Sequence, residues 1–212
     1  MKKLIDARNL VNYIQQLSSF EIISTSKKNT YNHIGGLITD IVLQSGMNYK
    51  TIVEPRVKHI VEKYPHAYNL SSFKALLDSS DISMVIKWSH PTKLQRMTGL
   101  IEFLLSQNIE SCDDLKSFLL KDENKKIFLK INGIGAKTLD YTLKLLSCDT
   151  VAVDRHIYSF VKDAGIDAKE YFETKTIVEY AADLMGISRS SIDASIWFYM
   201  SNKKSKQFEF AN

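Results

Sequence analysis

The residues of greatest chemical interest are an amine, Lys137, and a carboxylate, Asp154, each standing where a helix is expected to begin. Lys137 follows the run Leu129-Lys130-Ile131-Asn132-Gly133-Ile134-Gly135-Ala136 and precedes Thr138. Two glycines separated by one residue permit a tight turn between helices and let another backbone approach without interference from a Cβ. The helix that follows starts with free N–H groups and the positive end of its dipole, which together make a seat for phosphate. Such a turn can grip a DNA backbone without reading its sequence. The same residues also fit a glycine-rich connection between packed helices with no ligand.

Lys137 opens a helix of about 12 residues, roughly 18 Å long, and residues 148–153 can lead back over at most about 20 Å. Asp154 can therefore return to the level of Lys137. A nucleophilic amine must be neutral, whereas free lysine titrates near about 10.4. The positive end of a helix dipole and partial burial both disfavour the ammonium form, while a nearby carboxylate or phosphate favours it. Each residue has a plainer reading beside the chemical one. Asp154 fits the N-cap of a helix over 155–164, and Lys137 fits a solvated lysine or a phosphate contact.

The elements that must position these groups are helical throughout. Ile52, Val53, Val57, Ile60, Val61 and Tyr64 fall on one helical face, as do Leu94, Met97, Ile101, Leu104 and Leu105, and Ile177, Val178, Ala181, Ala182 and Met185. The pattern predicts helices near 2–18, 32–45, 52–63, 71–78, 93–107, 112–120, 123–130, 136–147, 155–164, 174–185 and 189–202, and no strand pair. Thr92 with Gln95 and Ser111 with Asp114 have capping-box spacing. Gly165 and Gly186 follow helical runs as left-handed closing residues, Pro55 fits a first helical turn, and Pro65 and Pro91 mark breaks.

At 212 residues the chain can bury a sizeable core, as one domain or two small ones. Its 28 Lys and Arg against 24 Asp and Glu give a net charge of +4, which suits a polyanionic partner without establishing one. No apolar run approaches the roughly 20 residues that span a bilayer, and Met1-Lys2-Lys3-Leu4-Ile5-Asp6 lacks the pattern of a signal segment, so a cytoplasmic protein is expected. Cys112 and Cys148 belong to no CxxC or Cys/His pattern, and His59, His66 and His90 have no metal-like set of partners; neither a metal nor an iron–sulfur cluster nor another cofactor is expected. No coiled-coil seam is evident, so the chain is expected to act as a monomer. The polar residues 24–32 read as a mobile connection, and Lys203, Lys204 and Lys206 make a short basic end.

The block Leu129-x-x-x-Gly133-Ile134-Gly135-Ala136-Lys137-Thr138, followed by Val151-Ala152-Val153-Asp154-Arg155-His156-Ile157, resembles the helix-hairpin-helix DNA glycosylase superfamily, near its endonuclease III and 8-oxoguanine glycosylase branches. Weaker similarity runs from Leu37-Ile38-Thr39-Asp40-Ile41-Val42-Leu43-Gln44-Ser45 through the helix over 92–105. The resemblance implies an all-α fold of two lobes with DNA crossing the cleft between them. Residues 1–30 plus 136–212 would form one lobe, and residues 31–135 the other. It implies base-excision repair: a DNA N-glycosylase acting on double-stranded DNA that contains a damaged base, and, with lysine at position 137, a lyase for the resulting abasic site.

In the implied mechanism the damaged nucleotide is flipped out of the duplex. Asp154 stabilises positive charge developing on the sugar and shuttles protons, and Lys137 attacks the anomeric carbon to give a Schiff base. Gly133, Ile134, Gly135, Ala136, Thr138 and Lys93 are expected to hold DNA. Gln44 is the expected wedge beside the orphaned base, with Met47 or Tyr49 filling space. Trp197 and Met47 are expected to line the base pocket, and His156 to serve packing or hydrogen bonding rather than acid–base work. The block Ser191-Ile192-Asp193-Ala194-Ser195-Ile196-Trp197-Phe198-Tyr199 and the lysine-bearing tail resemble compact archaeal-type 8-oxoguanine glycosylases, which puts oxidised guanine first among substrates and leaves oxidised pyrimidines open. The chain departs from many endonuclease III relatives in lacking their four-cysteine cluster, and its Lys137-to-Asp154 interval is shorter than in many. Two other functions fit the same residues: a non-catalytic helix-hairpin-helix DNA-binding protein, and a monofunctional glycosylase for alkylated or mismatched bases.

Overall fold

The computed structural model describes residues 1–25 and 31–209, with side chains as far as residue 203 in the last helix. Most of the expected polar connection over 24–32 lies outside the described residues, as do the side chains of Lys204 and Lys206. The described residues are all-helical, without a strand. In chain order the helices are α1 (Lys2–Gln16), α2 (Ile34–Leu43), α3 (Glu54–Lys63), α4 (Leu70–Asp78), α5 (Ile82–Ile86), α6 (Pro91–Ser106), α7 (Cys112–Leu119), α8 (Asp122–Phe128), α9 (Ala136–Leu145), α10 (Arg155–Asp163), α11 (Tyr171–Met185) and α12 (Arg189–Glu209). A π-helical turn, Tyr49–Val53, leads into α3. No helix among the described residues is long and apolar enough to cross a membrane.

The chain divides into two compact units, Met1–Lys28 with Ser147–Asn212, and Asn29–Leu146. The second boundary falls after α9, later than the 135/136 position read from the sequence. The reason is that α9 packs on α2 of the central unit and is tied to it through side chains.

In the central unit α2 is buried along its whole length and contacts α3, α4, α6, α9 and the π-turn. The helix can sit this deep because its sequence, Ile-Gly-Gly-Leu-Ile-Thr-Asp-Ile-Val-Leu, is apolar apart from Thr39 and Asp40, whose polar groups are hydrogen-bonded, and has two glycines in its first turn. A Cβ on Gly35 would lie 2.5 Å from the Phe73 ring. Ser111 and Asp114 form the expected capping box on α7. Thr92 does not cap: α6 begins one residue earlier, with Pro91 in its first turn and His90 before it. The preset φ of proline suits that first turn, where its missing N–H is no loss.

The terminal unit is built on a core from α1 (Ala7, Leu10, Ile14), α10 (Ile157, Phe160, Val161), α11 (Ile177, Val178, Ala181, Ala182) and α12 (Ile192, Ile196, Met200). Tyr13 and Phe20 pack on Phe160, and Tyr199 joins both phenylalanines. The extended residues after α1 are strapped onto α12, where the Ile23 N–H donates to Ser195 Oγ at 2.8 Å. Gly165 and Gly186 take the left-handed conformation expected at helix ends.

Candidate active site

Lys137 is the second residue of α9, reached through the turn Asn132-Gly133-Ile134-Gly135. Gly133 has φ +86°, and a Cβ there would lie 2.5 Å from Cδ and Nε of Arg96. Glycine is thus required twice over, for the backbone angle and for the arginine packed beneath the turn. Asn132, Gly133 and Gly135 are exposed while Ile134 is tucked in, so the turn presents backbone outward and anchors itself through one apolar side chain. Gly135 precedes α9 without a side-chain cap. The first N–H groups of α9 therefore gain nothing from a capping side chain.

Two side-chain contacts fasten α9 to α2. Lys137 Nζ donates to Gln44 Oε1 at 2.8 Å, and one helical turn along, the Tyr141 hydroxyl donates to Asp40 Oδ1 at 2.7 Å. Because residues four apart share a helix face, these contacts are the two rungs of an antiparallel ladder. The Lys137 amine also lies 6.0 Å from the centroid of the Tyr141 ring. Asp40 is fully buried, and its other oxygen accepts from Tyr31 at 2.7 Å and, at the long distance of 3.5 Å, from Tyr49. Burial pushes the Asp40 carboxyl above its ordinary range against the pull of the three phenol hydrogen bonds. It also raises Tyr31 and Tyr141, with the neighbouring Asp40 charge as the next cause, and takes Tyr49 to about 12.

Two sequence-derived expectations fail here. Lys93 is not placed to touch DNA: it is 7% exposed, and its Nζ donates to the carbonyls of Val42 at 2.7 Å and Ser45 at 2.9 Å. It serves the orphan carbonyls at the end of α2. Burial lowers its pKa, and repulsion from Arg96 and Lys137 adds to the shift. Gln44 is not a protruding wedge either. It is 8% exposed, lies between the two carbonyls that Lys93 clamps, and directs its amide oxygen at Lys137. Its Nε2 is buried without a hydrogen-bond partner, and so is Nε of Arg96. Arg96 itself lines a shallow hollow with Ser45, Asn132 and Gly133.

The central unit thus brings together Lys137, Gln44, Lys93 and the residues of the turn. Thr138 is buried, with its carbonyl bonded to Thr142 Oγ1, and Ala136 is half-buried at the start of α9. Met47 is partly exposed, in the loop between α2 and the π-turn.

In the terminal unit Asp154 is the N-cap of α10. Its Oδ1 accepts from the backbone N–H of His156 at 2.8 Å and of Ile157 at 3.1 Å, and Oδ2 lies 3.1 Å from His156 Nδ1. The side chain keeps 24% of its exposure. His156 is buried and packs edge-on against Trp197, which is 44% exposed. Sequence reasoning foresaw this structural use of Asp154 and the hydrogen-bonding role of His156. Asp40, with its three phenols, was overlooked, although a lone carboxylate inside an otherwise apolar helix was the available signal.

The chain matches no protein-family model and no curated protein.

Proposed function

We propose that the protein is a base-excision DNA glycosylase and abasic-site lyase of the helix-hairpin-helix type, with the two-lobed fold of that superfamily, Lys137 as nucleophile and Asp154 as its carboxylate partner. The observation that carries this reading is the setting of Lys137. An ordinary surface lysine waves in solvent; this one is fixed by a buried amide at 2.8 Å, two residues past an exposed glycine turn and close enough to the buried Lys93 for the two amines to repel each other. An amine fixed in this way, in the first turn of a helix and on the exposed side of a glycine turn, is placed to act as a nucleophile rather than as a solvated charge.

In the reaction, the Lys137 nitrogen lone pair forms a bond to the anomeric carbon as the glycosidic bond breaks, and that bond's electron pair leaves with the base, which takes up a proton. Loss of a proton from the nitrogen and opening of the sugar ring give a protonated Schiff base. Removal of a C2′ proton then expels the 3′ phosphate and breaks the strand. Asp154, part-exposed at the start of α10, stabilises positive charge on the sugar and carries protons. The exposed turn at 132–135 and the α9 N-terminus take a DNA phosphate, with Arg96 as the cation behind them in place of Lys93. Oxidised guanine is the leading substrate, with oxidised pyrimidines next.

Asp154 also supports a second reading, a DNA-binding module without catalysis, because its carboxylate already has full structural employment as a cap. Duplexes containing 8-oxoguanine, thymine glycol, uracil or an abasic site, incubated with and without borohydride, separate the two. The proposal expects base release, strand cleavage and a reductively trapped protein–DNA adduct. Salt-sensitive binding with no adduct and no product on any duplex would establish the module instead.

A further inference from the structure

Gln44 has a divided amide. Its Oε1 is committed to Lys137, while its Nε2, on a side chain only 8% exposed, has no acceptor. A buried donor without a partner is unfavourable, and native structures keep few of them unless a ligand completes the bond. The side chain is not free to swing out and find water. Lys93 ties down the carbonyls of Val42 and Ser45 on either side of it, and the Asp40–Tyr141 contact holds the helix turn before it.

We propose that Gln44 is both a positioning residue for Lys137 and a substrate contact: Oε1 takes an N–H of the amine and so aims its lone pair, while Nε2 donates to the base carbonyl that flanks the glycosidic nitrogen. The inference rests on the reading of Lys137 as nucleophile. An acceptor bonded to Nε2 at about 2.9 Å lies roughly 6–7 Å from the amine, since both groups share one amide. In that range an amine attacking the anomeric carbon has sugar and phosphate oxygens and, on the base, the carbonyl on the ring atom next to the glycosidic nitrogen; of these the carbonyl is the one that gains charge as the base departs. When the glycosidic bond breaks, negative charge flows onto that oxygen, so a fixed donor there stabilises the transition state more than the ground state. Pyrimidines and 8-oxopurines carry such a carbonyl; guanine, adenine and their N-alkylated forms have C–H at that position. The site would thereby select a chemical class, bases with an oxygen beside the glycosidic bond, and leave undamaged purines without the stabilising contact.

Gln44→Glu tests this, because it keeps an acceptor for Lys137 and removes the donor. The added charge favours the ammonium form of Lys137, so the pH profile of borohydride trapping on abasic-site DNA should move to higher pH, and its plateau should fall by a clearly smaller factor than excision does. Excision of 8-oxoguanine and of thymine glycol, measured at that plateau, should fall at least tenfold. Gln44→Met, which keeps the bulk and loses both functions, should depress trapping and excision together, with unfolding midpoints reported for both variants. Equal plateau losses on abasic and base-containing DNA in Gln44→Glu would place the donor on sugar or phosphate and overturn the base contact. An unmoved pH profile would overturn the positioning role. Absence of trapping in the wild-type protein would instead remove the underlying assignment of Lys137.

Discussion

Lys137 and Asp154 are held in opposite ways. Lys137 donates to Gln44, 93 positions away, and the rung beside it joins Tyr141 to Asp40 over 101 positions. Asp154 is held by its own helix, through N–H groups two and three positions on and the ring of His156. A long-range hold depends on the fold of the central unit, so small changes in α2 reach the amine. A local hold depends on one turn of α10 and survives changes elsewhere. The amine is therefore the more fragile of the two groups, and its supporting residues are the ones whose loss should be felt as lost chemistry.

The largest effect should come from Lys137→Gln. Covalent trapping on abasic-site DNA should disappear, with duplex affinity retained within a few-fold and the unfolding midpoint little changed. Asp154→Asn comes next. Asparagine caps a helix about as well as aspartate, so stability should hold while excision drops by roughly a hundredfold or more. Asp154→Ala should lose the same activity and about 1 kcal/mol of stability besides. Equal excision by Asp154→Asn and wild type would leave the residue as a cap and nothing more.

The third perturbation is of the ladder. Asp40→Asn has one carbonyl oxygen where two carboxylate oxygens served Tyr31 and Tyr141, so a buried phenol loses its acceptor at about 1–3 kcal/mol. The difference from wild type should depend on pH with a definite sign. Burial raises the folded pKa of Asp40 above its ordinary value of 3.8, so the native state holds the proton more tightly than the unfolded chain. The stability this contributes is complete below the ordinary value and is lost as pH rises through the raised one. Urea unfolding across that range should show the advantage of wild type over Asp40→Asn shrinking as pH increases. The smallest effect is expected for Gly133→Ala. A φ of +86° and the Arg96 side chain both oppose a Cβ there, at about 1–2 kcal/mol for the backbone angle, with duplex affinity falling several-fold.

The same contrast explains what the sequence could and could not disclose. Caps are written in neighbouring residues, which is why Ser111 with Asp114, Asp154, Gly165 and Gly186 were legible. Helices with sustained periodicity were legible too, whereas α5 and the π-turn, five residues each, are too short to show a period. The resemblance put Lys93 on the DNA and made Gln44 a protruding wedge, and each carries a polar head near a helix end. Whether such a head points out or in is decided by tertiary packing, here by the carbonyls that close α2 and by the arrival of α9. A tight glycine turn looks like a division between units, yet the ladder joins α9 to α2 across it.

The most direct measurement asks whether the amine of Lys137 forms the proposed bond to DNA. Wild-type protein should be incubated with abasic-site duplex, reduced with borohydride and digested with protease and nuclease, and the adduct located by peptide mass spectrometry. The account predicts the sugar remnant on the Lys137 nitrogen. A remnant on Lys93, on another lysine or on the N-terminal amine, or no remnant at all, would contradict it.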